Sequence, residues 1–373
     1  MKYIWEQDDW PSLIYEDSLL LQPLSEARRK QGLLLGRLLS LGFDSQREAL
    51  LSTFTEDVIS TSKIEGEDLD RNSVRSSIAR RLGVPNAGLK VRDRRAEGVI
   101  EMHLDAVNQF DQPLSKSRLS AWHAAMFPTG CSGLEKIIVG EYRDDLKGAM
   151  QVVSGPIERP RIHYQAPPAD SLDMEMRRFV RWFNHPPKAL DGVIRAGIAH
   201  LWFVLLHPFD DGNGRIARAV ADMALAQDEK SPKRFYSLSR EIMEQRKGYY
   251  EALERVNETE LNITYWLLWF IQCFEQAIEG AEGVIEAVMA KSQFWQRHAS
   301  TLLNKRQRKV IDRLLDGFEG GMTAKKWAAM GKCSIQTAQR DLLDCVEKGL
   351  MLRNPGGSKR TSYRLRLASD ERL

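Results

Sequence analysis

His207-Pro208-Phe209-Asp210-Asp211-Gly212-Asn213-Gly214-Arg215-Ile216-Ala217-Arg218 lies between two segments, 194–206 and 216–226, that carry apolar residues at helical spacing. The twelve residues therefore read as a loop between two helices, with Pro208 and the glycines enforcing the break. Gly212, Asn213 and Gly214 all tolerate positive φ, so successive N–H groups can turn inward where the second helix begins, making a concave donor set for an anion. Arg215 and Arg218 stand three apart in the first turn of that helix, where their charge opposes the helix dipole unless an anion offsets it. Both guanidiniums suit phosphate oxygens. Asp211 offers an oxygen to a magnesium ion, which needs only one or two protein carboxylates when a nucleotide supplies the rest. His207, with an ordinary pKa near ~6.5, suits proton removal from an attacking hydroxyl. Phe209 is the apolar anchor of the loop. A lone histidine among apolar residues is commonly a core residue, and a lone Asp-Gly-Asn is commonly a turn, so only the whole set marks a site. No Gly-Lys-Ser/Thr follows the glycines, which excludes the P-loop solution.

The stretch resembles the Fic-domain signature, HPFx(D/E)GNGRxxR, at every specified position. That resemblance implies a mainly α fold: a Fic helical core with a β-hairpin flap, whose members mostly transfer AMP from ATP to a protein hydroxyl. Carried over residue by residue, it makes His207 the catalytic base and Asp211 the magnesium ligand. Gly212, Asn213 and Gly214 become the anion hole, and Arg215 and Arg218 the phosphate ligands. It implies ATP as substrate, Mg2+ as cofactor, and a protein target with a Ser, Thr or Tyr hydroxyl. Some relatives transfer other phosphate-containing groups, often with a changed glycine loop; the intact Gly214 and Arg215 favour AMP.

At 373 residues, with 43% hydrophobic and 28% charged residues, the chain predicts two or three ordinary globular domains. No apolar run reaches membrane-spanning length, and residues 1–10 hold three acids and no apolar core of a signal. Cys131, Cys273, Cys333 and Cys345 are far apart, which argues against zinc and disulfides and for a cytoplasmic setting. The net charge of +3 is unevenly spread: residues 305–366 hold 15 Lys and Arg against 6 Asp and Glu. The basic excess belongs to the C-terminal end.

Spacing predicts one or two helices over 19–43 and further helices over 48–64, 70–82, 94–110, 119–127, 172–184, 239–256 and 263–280, with a loop at 84–90. Trp5 and Trp10 read as packing anchors, and His103 and His123 as ordinary interior or surface residues. His200 precedes His207 by seven residues, but without a third ligand nearby the two do not make a zinc site. Between 140 and 168, Gly-Pro and Pro-Pro pairs punctuate β-branched pieces at 151–153 and 161–164, which predicts a β-hairpin; the resemblance makes it a flap whose edge holds a target segment. The helix at 48–64 ends in Thr61-Ser62-Lys63-Ile64-Glu65-Gly66, with Gly66 as its stop. This end is similar to the inhibitory motif (S/T)xxxE(G/N) of Fic proteins, which implies that Glu65 pairs with Arg218 and blocks the γ-phosphate of ATP. Tyr249-Tyr250 resembles the paired tyrosines beside the nucleotide in that family; packing alone is the other reading.

From residue 305 the pattern becomes helix (305–315), helix (323–330), helix (334–348) and a strand pair (351–365) around Pro355-Gly356-Gly357, a winged helix-turn-helix. Thr323 and Ser334 are suitable N-caps and Gly349 a suitable stop. In the third helix Ile335, Ala338, Leu342 and Val346 are expected inside. That leaves Gln336, Gln339 and Arg340 outside for DNA bases, with Lys359 and Arg360 in the wing for phosphate. Asp341, Asp344 and Glu347 count against DNA and for a protein-docking face. The expected organisation is an N-terminal region (1–90) with the inhibitory helix, a Fic catalytic domain (91–280), a connector helix (281–304) and the winged helix (305–373). Two functions compete: an autoinhibited protein adenylyltransferase, and a nucleotide-sensing, DNA-binding transcription regulator. The intact base at His207 favours the enzyme. De-AMPylation, with Glu65 orienting water, is a variant of the first, and a homodimer stays open as an assembly.

Overall fold

The computed structural model describes residues 2–39, 42–84, 94–154, 161–316, 318, 320–355, 361–367 and 370. It divides into two compact units, Met1–Glu282 and Gly283–Leu373. The first is almost wholly helical: α1 (Asp17–Leu39), α2 (Phe43–Ile64), α3 (Arg71–Arg81), α4 (Arg94–Asn108), α5 (Lys116–Met126), α6 (Ala169–Asn184), α7 (Gly192–Leu206), α8 (Asn213–Glu229), α9 (Leu238–Glu244), α10 (Arg246–Val256) and the start of α11 (Thr264–Arg297). Two small hairpins interrupt it, β1 (Cys131–Ser132) with β2 (Glu135–Lys136), and β3 (Gln151–Ser154) with β4 (Arg161–Gln165). The second hairpin is the expected flap, antiparallel and irregular between Val152 and Val153. The first was not expected, because two-residue strands are too short to show a period.

The centre of this unit is the pair α7 and α8. Nearly every residue of α7 is buried, as are Asn213 and the run from Arg215 to Ala226 in α8, so neither helix shows a polar stripe. Asp191 caps α7 by accepting from the Val193 N–H at 2.7 Å, and Arg28 of α1 holds the same carboxylate at 2.9 Å. Helices α4 and α5 meet at Gly98, where any Cβ would overlap the Ala125 carbonyl. That close approach presses the C-terminal end of α5, with His123, Met126 and Phe127, towards the loop after α7.

Helix α2 is fixed by buried polar contacts as well as by apolar packing. Asp57 accepts from the Ser237 hydroxyl, Arg234 pairs with Asp222, and His103 Nδ1 stands 3.5 Å from Asp222. All five are buried. Burial, with Asp222 second, pushes the Asp57 carboxyl up to about 6. The end of α2 is a Schellman motif: Glu67 N–H donates to Ser62 O at 3.0 Å and Gly66 N–H to Lys63 O at 3.0 Å, with Gly66 at φ +83°. Gly66 thus acts as the expected stop, and Glu65 is the C-cap.

Some expected boundaries move. The 239–256 segment is two helices that break at Gln245, and a single α11 runs on through Gly280. Asp70 caps α3, accepting from the Ser73 N–H at 2.8 Å. The loop at 84–90 lies outside the described residues beyond Val84.

The second unit holds the end of α11, α12 (Lys305–Leu315), α13 (Ala324–Gly331), α14 (Ile335–Glu347), and the antiparallel strands β5 (Met351–Arg353) and β6 (Tyr363–Leu365). Met322 bridges to Tyr363 on the other side of β6. Phe294, Val310, Ile311, Trp327, Ala338, Leu342 and Met351 are buried in one cluster. Thr323 and Ser334 cap α13 and α14, as expected, and Gly349 takes φ +75° after α14. Ile335 is a correction: it is 55% exposed, because the inner side of α14 is formed by Ala338, Asp341, Leu342 and Cys345. Wing residues Lys359 and Arg360 lie outside the described residues.

Candidate active site

His207 ends α7 in the left-handed region, φ 46° and ψ 56°, where a residue without glycine's freedom is held only by its surroundings. Those surroundings are visible. The Arg143 guanidinium donates to the His207 carbonyl at 2.8 Å, and the Arg143 backbone N–H donates to Pro208 O at 2.9 Å. His207 Nδ1 lies 3.3 Å from Val204 O. A carbonyl only accepts, so Nδ1 carries the proton and Nε2 keeps its lone pair. Burial lowers the imidazole pKa to about 4, which leaves it neutral at pH 7.

Beyond it the loop folds around Phe209, which is fully buried. Asn213 closes the loop, accepting from Phe209 N–H at 3.0 Å and donating to Phe209 O at 2.7 Å. Asp210 accepts from the Ile138 N–H at 2.8 Å. Asp211 accepts from the Gly212 N–H at 2.6 Å through one oxygen and from the Ser132 hydroxyl through the other. Its side chain remains 37% exposed, so lone pairs of both oxygens stay available to a cation. Of the three residues expected to tolerate positive φ, only Gly212 uses it, at +79°; Asn213 and Gly214 are already helical. The N–H groups of α8's first turn follow at once.

His123 was expected to be an ordinary residue. It is interior, but its partners belong to this loop. Its Nδ1 accepts from the Gly140 N–H at 3.0 Å, so Nε2 carries the proton and donates to Asp211 O at 3.2 Å. Its ring stacks on Phe209 at 4.3 Å. Burial holds its pKa down to about 4. Ser132, Arg143 and His123 were all missed as site residues, because each stands far from the loop in sequence and in no motif.

Arg215 and Arg218 are both buried. Arg218 Nε donates to the Thr61 hydroxyl at 2.7 Å, and its Nη2 donates to Thr61 O at 3.1 Å and to Glu65 at 2.6 Å. A Cβ built on Gly214 would overlap Glu65 Oε1, so the Glu65 carboxylate lies over the first turn of α8 itself. Glu67, also missed in the sequence, holds Arg215 at 3.1 Å. Two donors nevertheless stay unmatched: Arg218 Nη1 and Arg215 Nε are buried without a hydrogen-bond partner. Buried orphan guanidinium donors beside an anion nest are what an incoming phosphate would satisfy.

Of the two tyrosines, Tyr249 is buried, 3.0 Å from His200 Nε2 and edge-on to that ring, while Tyr250 is 40% exposed. His200 therefore belongs with Tyr249 and Trp266, on which it stacks, and not with His207. The flap is tied to α10, since His163 of β4 contacts Glu254.

Fold and site together define a class: a helical core whose central turn presents a neutral histidine, a glycine-started anion nest and two buried arginines. The chain carries a Fic domain, for residues 113–225 match the Fic/DOC family, while residues 3–84 match a domain of unknown function, DUF4172. Protein adenylyltransferase fic-1 of Caenorhabditis briggsae is 28% identical over 190 residues, half of this chain and 34% of that one. Uridine 5'-monophosphate transferase of Xanthomonas campestris is 39% identical over 72 residues, 18% of this chain and 13% of that one. The chain thus spans about a third or less of the length of these curated relatives. A Fic family protein from Desulfovibrio desulfuricans shares the fold, with a TM-score of 0.52 at 18% identity over 92% of this chain and 96% of that one. Among the described residues no helix is long and apolar enough to cross a membrane.

Proposed function

We propose that the chain is a protein adenylyltransferase held off by its own N-terminal helix α2. The observation that carries the reading is Glu65, a carboxylate placed on Arg218 and over Gly214, where the phosphates of ATP would otherwise bind. With Glu65 displaced, Arg215, Arg218 and the N–H groups of α8 would grip the phosphates. His207 Nε2 would take the proton of a Ser, Thr or Tyr hydroxyl. The hydroxyl oxygen would then form its bond to the α-phosphorus as the bond to pyrophosphate breaks. Tyr249 and Tyr250 would border the nucleotide.

Asp211 fits a magnesium ion brought in with ATP, since its carboxylate is exposed and only partly engaged. When bound there, magnesium would supply positive charge that offsets the charge of the phosphates. A charge-assisted pair of the Glu65–Arg218 kind is worth about 1–3 kcal/mol, so displacing it would weaken ATP binding by roughly 5- to 150-fold.

The test is transfer of label from ATP, and in parallel from UTP, to lysate proteins or to the chain itself by the parent, Glu65→Gly and Glu65→Gly with His207→Ala. The reading expects strong labelling from ATP by Glu65→Gly and none once His207 is lost. Labelling from UTP instead would keep the site and change the group transferred.

A further inference from the structure

We infer that the second unit is a winged helix that binds duplex DNA, with the exposed side of α14 entering the major groove. The inference is independent of the nucleotide chemistry of the first unit. Two helices, α13 and α14, are joined by a turn of Lys332, Cys333 and Ser334, with Lys332 at φ 49° and Ser334 capping the second helix. Strands β5 and β6 follow, and Met322 pairs with Tyr363 to extend the sheet on the far side of β6. That is the wing topology behind a recognition helix.

Charge decides what this face fits. From Ala324 to Arg340 the sequence has no acid and four bases, Lys325, Lys326, Lys332 and Arg340, all exposed. Of the three acids that count against DNA, Asp341 and Asp344 are taken up by other residues, and Glu347 is exposed in the last turn of α14. Asp341 is 5% exposed, held by Arg306 at 2.5 and 3.0 Å and by the Trp327 indole N–H at 3.2 Å. Asp344 is engaged by Gln307 at 2.7 Å and Lys348 at 2.6 Å. Asp312 and Asp316 are held by Trp295 and Lys291. Internal partners thus absorb most of the negative charge and leave the exposed bases in excess, which suits a polyanion and repels an acidic protein.

The exposed side of α14 also has the right chemistry for base edges. Gln336, Gln339 and Arg340 are exposed and hold no hydrogen bond or ion pair among the described residues. Glutamine pairs with adenine and arginine with guanine in the major groove, and an apolar group such as Ile335, 55% exposed at the helix start, suits the thymine methyl. Leu343, 60% exposed, is the one feature equally at home against a protein.

The test uses the full chain and a labelled 30-base-pair duplex pool of random sequence, followed by cycles of selection. The expected result is retention at low salt, a log-log salt slope of about −3 or steeper from roughly four phosphate contacts, and enrichment of a discrete sequence. Gln339→Ala and Arg340→Ala should each lose about 5- to 150-fold affinity for the enriched sequence and far less for the starting pool. Lys325→Ala with Lys326→Ala should weaken both alike and flatten the slope. Thermal unfolding of each variant separates lost contacts from a lost fold. No duplex retained at 50 mM salt, a flat salt dependence, or an unenriched pool would overturn the proposal and return the Ile335–Leu343 face to a protein partner.

Discussion

Glu65 and Gly214 share one volume: the carboxylate of the first lies where a side chain on the second would stand, and it is anchored there by Arg218 at 2.6 Å. An acid in that position works as a built-in anion. It lies over the first turn of α8 and takes one N–H of Arg218, while Arg218 Nη1 and Arg215 Nε stay without a partner. Glu65→Gly should therefore raise AMP transfer at least roughly tenfold, the middle of the range that one such coupling supports. Arg218→Ala frees Glu65 but removes a phosphate ligand, so transfer should stay low. Equal rates for the parent and Glu65→Gly in a labelled-ATP assay would remove Glu65 from the inhibitory role.

Glu67 extends the same restraint to Arg215, at 3.1 Å. Its side chain is 34% exposed, and Arg215 also has Asp211 at 3.8 Å, so screening leaves the contact worth at most about 1 kcal/mol. Glu67→Ala alone should raise transfer by no more than about fivefold. A Glu67→Ala rate that equals or exceeds that of Glu65→Gly would make Glu67 the principal restraint.

What could be read from the chain beforehand followed from local chemistry. The loop at 207–218 was legible because proline, glycines, two arginines and a histidine fall within one short stretch, and the end of α2 because Gly66 marks a stop that Glu65 precedes. His123, Arg143 and Ser132 were not legible as site residues. They reach the loop from α5, from β1 and from the irregular chain after β2, 64 to 88 residues away, and nothing in their own surroundings marks them. The inward turn of Asp341 was hidden for the same reason: its partners Arg306 and Trp327 sit on two other helices. Ile335 was misplaced because helical spacing alone gives a face, and the first residue of a helix can lie at its edge.

The pH dependence of transfer follows from His207, whose pKa burial lowers to about 4. A base works deprotonated, so kcat/KM of Glu65→Gly should stay level from pH 8 down past 6 and fall only well below ~6.5, the value of a free imidazole. A half-maximal point at or above 6.5 would mean that another group titrates in the rate.

Two other histidines set the acid stability of the first unit. Burial lowers His123 to about 4 and His200 to about 3, so the unfolded chain takes their protons first as pH drops below ~6.5. Their neutral forms stabilise the fold above that pH, and the contribution is lost on acidification. Asp57, raised to about 6, acts in the opposite sense, because the folded chain takes that proton first between ~6 and ~4. His207, lowered to about 4, adds a third proton on the unfolded side, and three against one leave a net loss on the order of 4 kcal/mol between pH 7 and pH 5. Calorimetry at pH 7, 6 and 5 should show the first unit's midpoint falling, and a midpoint that held steady or rose would contradict the assignment.

Gly214→Ala separates release of the inhibitor from competence of the site. The backbone at 214 is helical, so alanine is the better residue there by about 1 kcal/mol on propensity alone. Folding should therefore survive, and thermal unfolding should show it. The new methyl would still stand against Glu65 Oε1 and 3.2 Å from Arg218 Nη1, so Glu65 must withdraw. Withdrawal would raise transfer if the carboxylate were the only obstacle. The same methyl, however, fills the space over the first turn of α8 that a phosphate oxygen needs. Gly214→Ala should accordingly stay as inactive as the parent, and Glu65→Gly with Gly214→Ala should lose most of the activity that Glu65→Gly alone gains. Binding of a fluorescent ATP analogue to the four proteins gives the direct measurement. Tight binding by Glu65→Gly and weak binding by the double variant are expected. If the double variant binds and transfers as well as Glu65→Gly, the phosphates do not sit over Gly214, and Glu65 must inhibit by holding Arg218 alone.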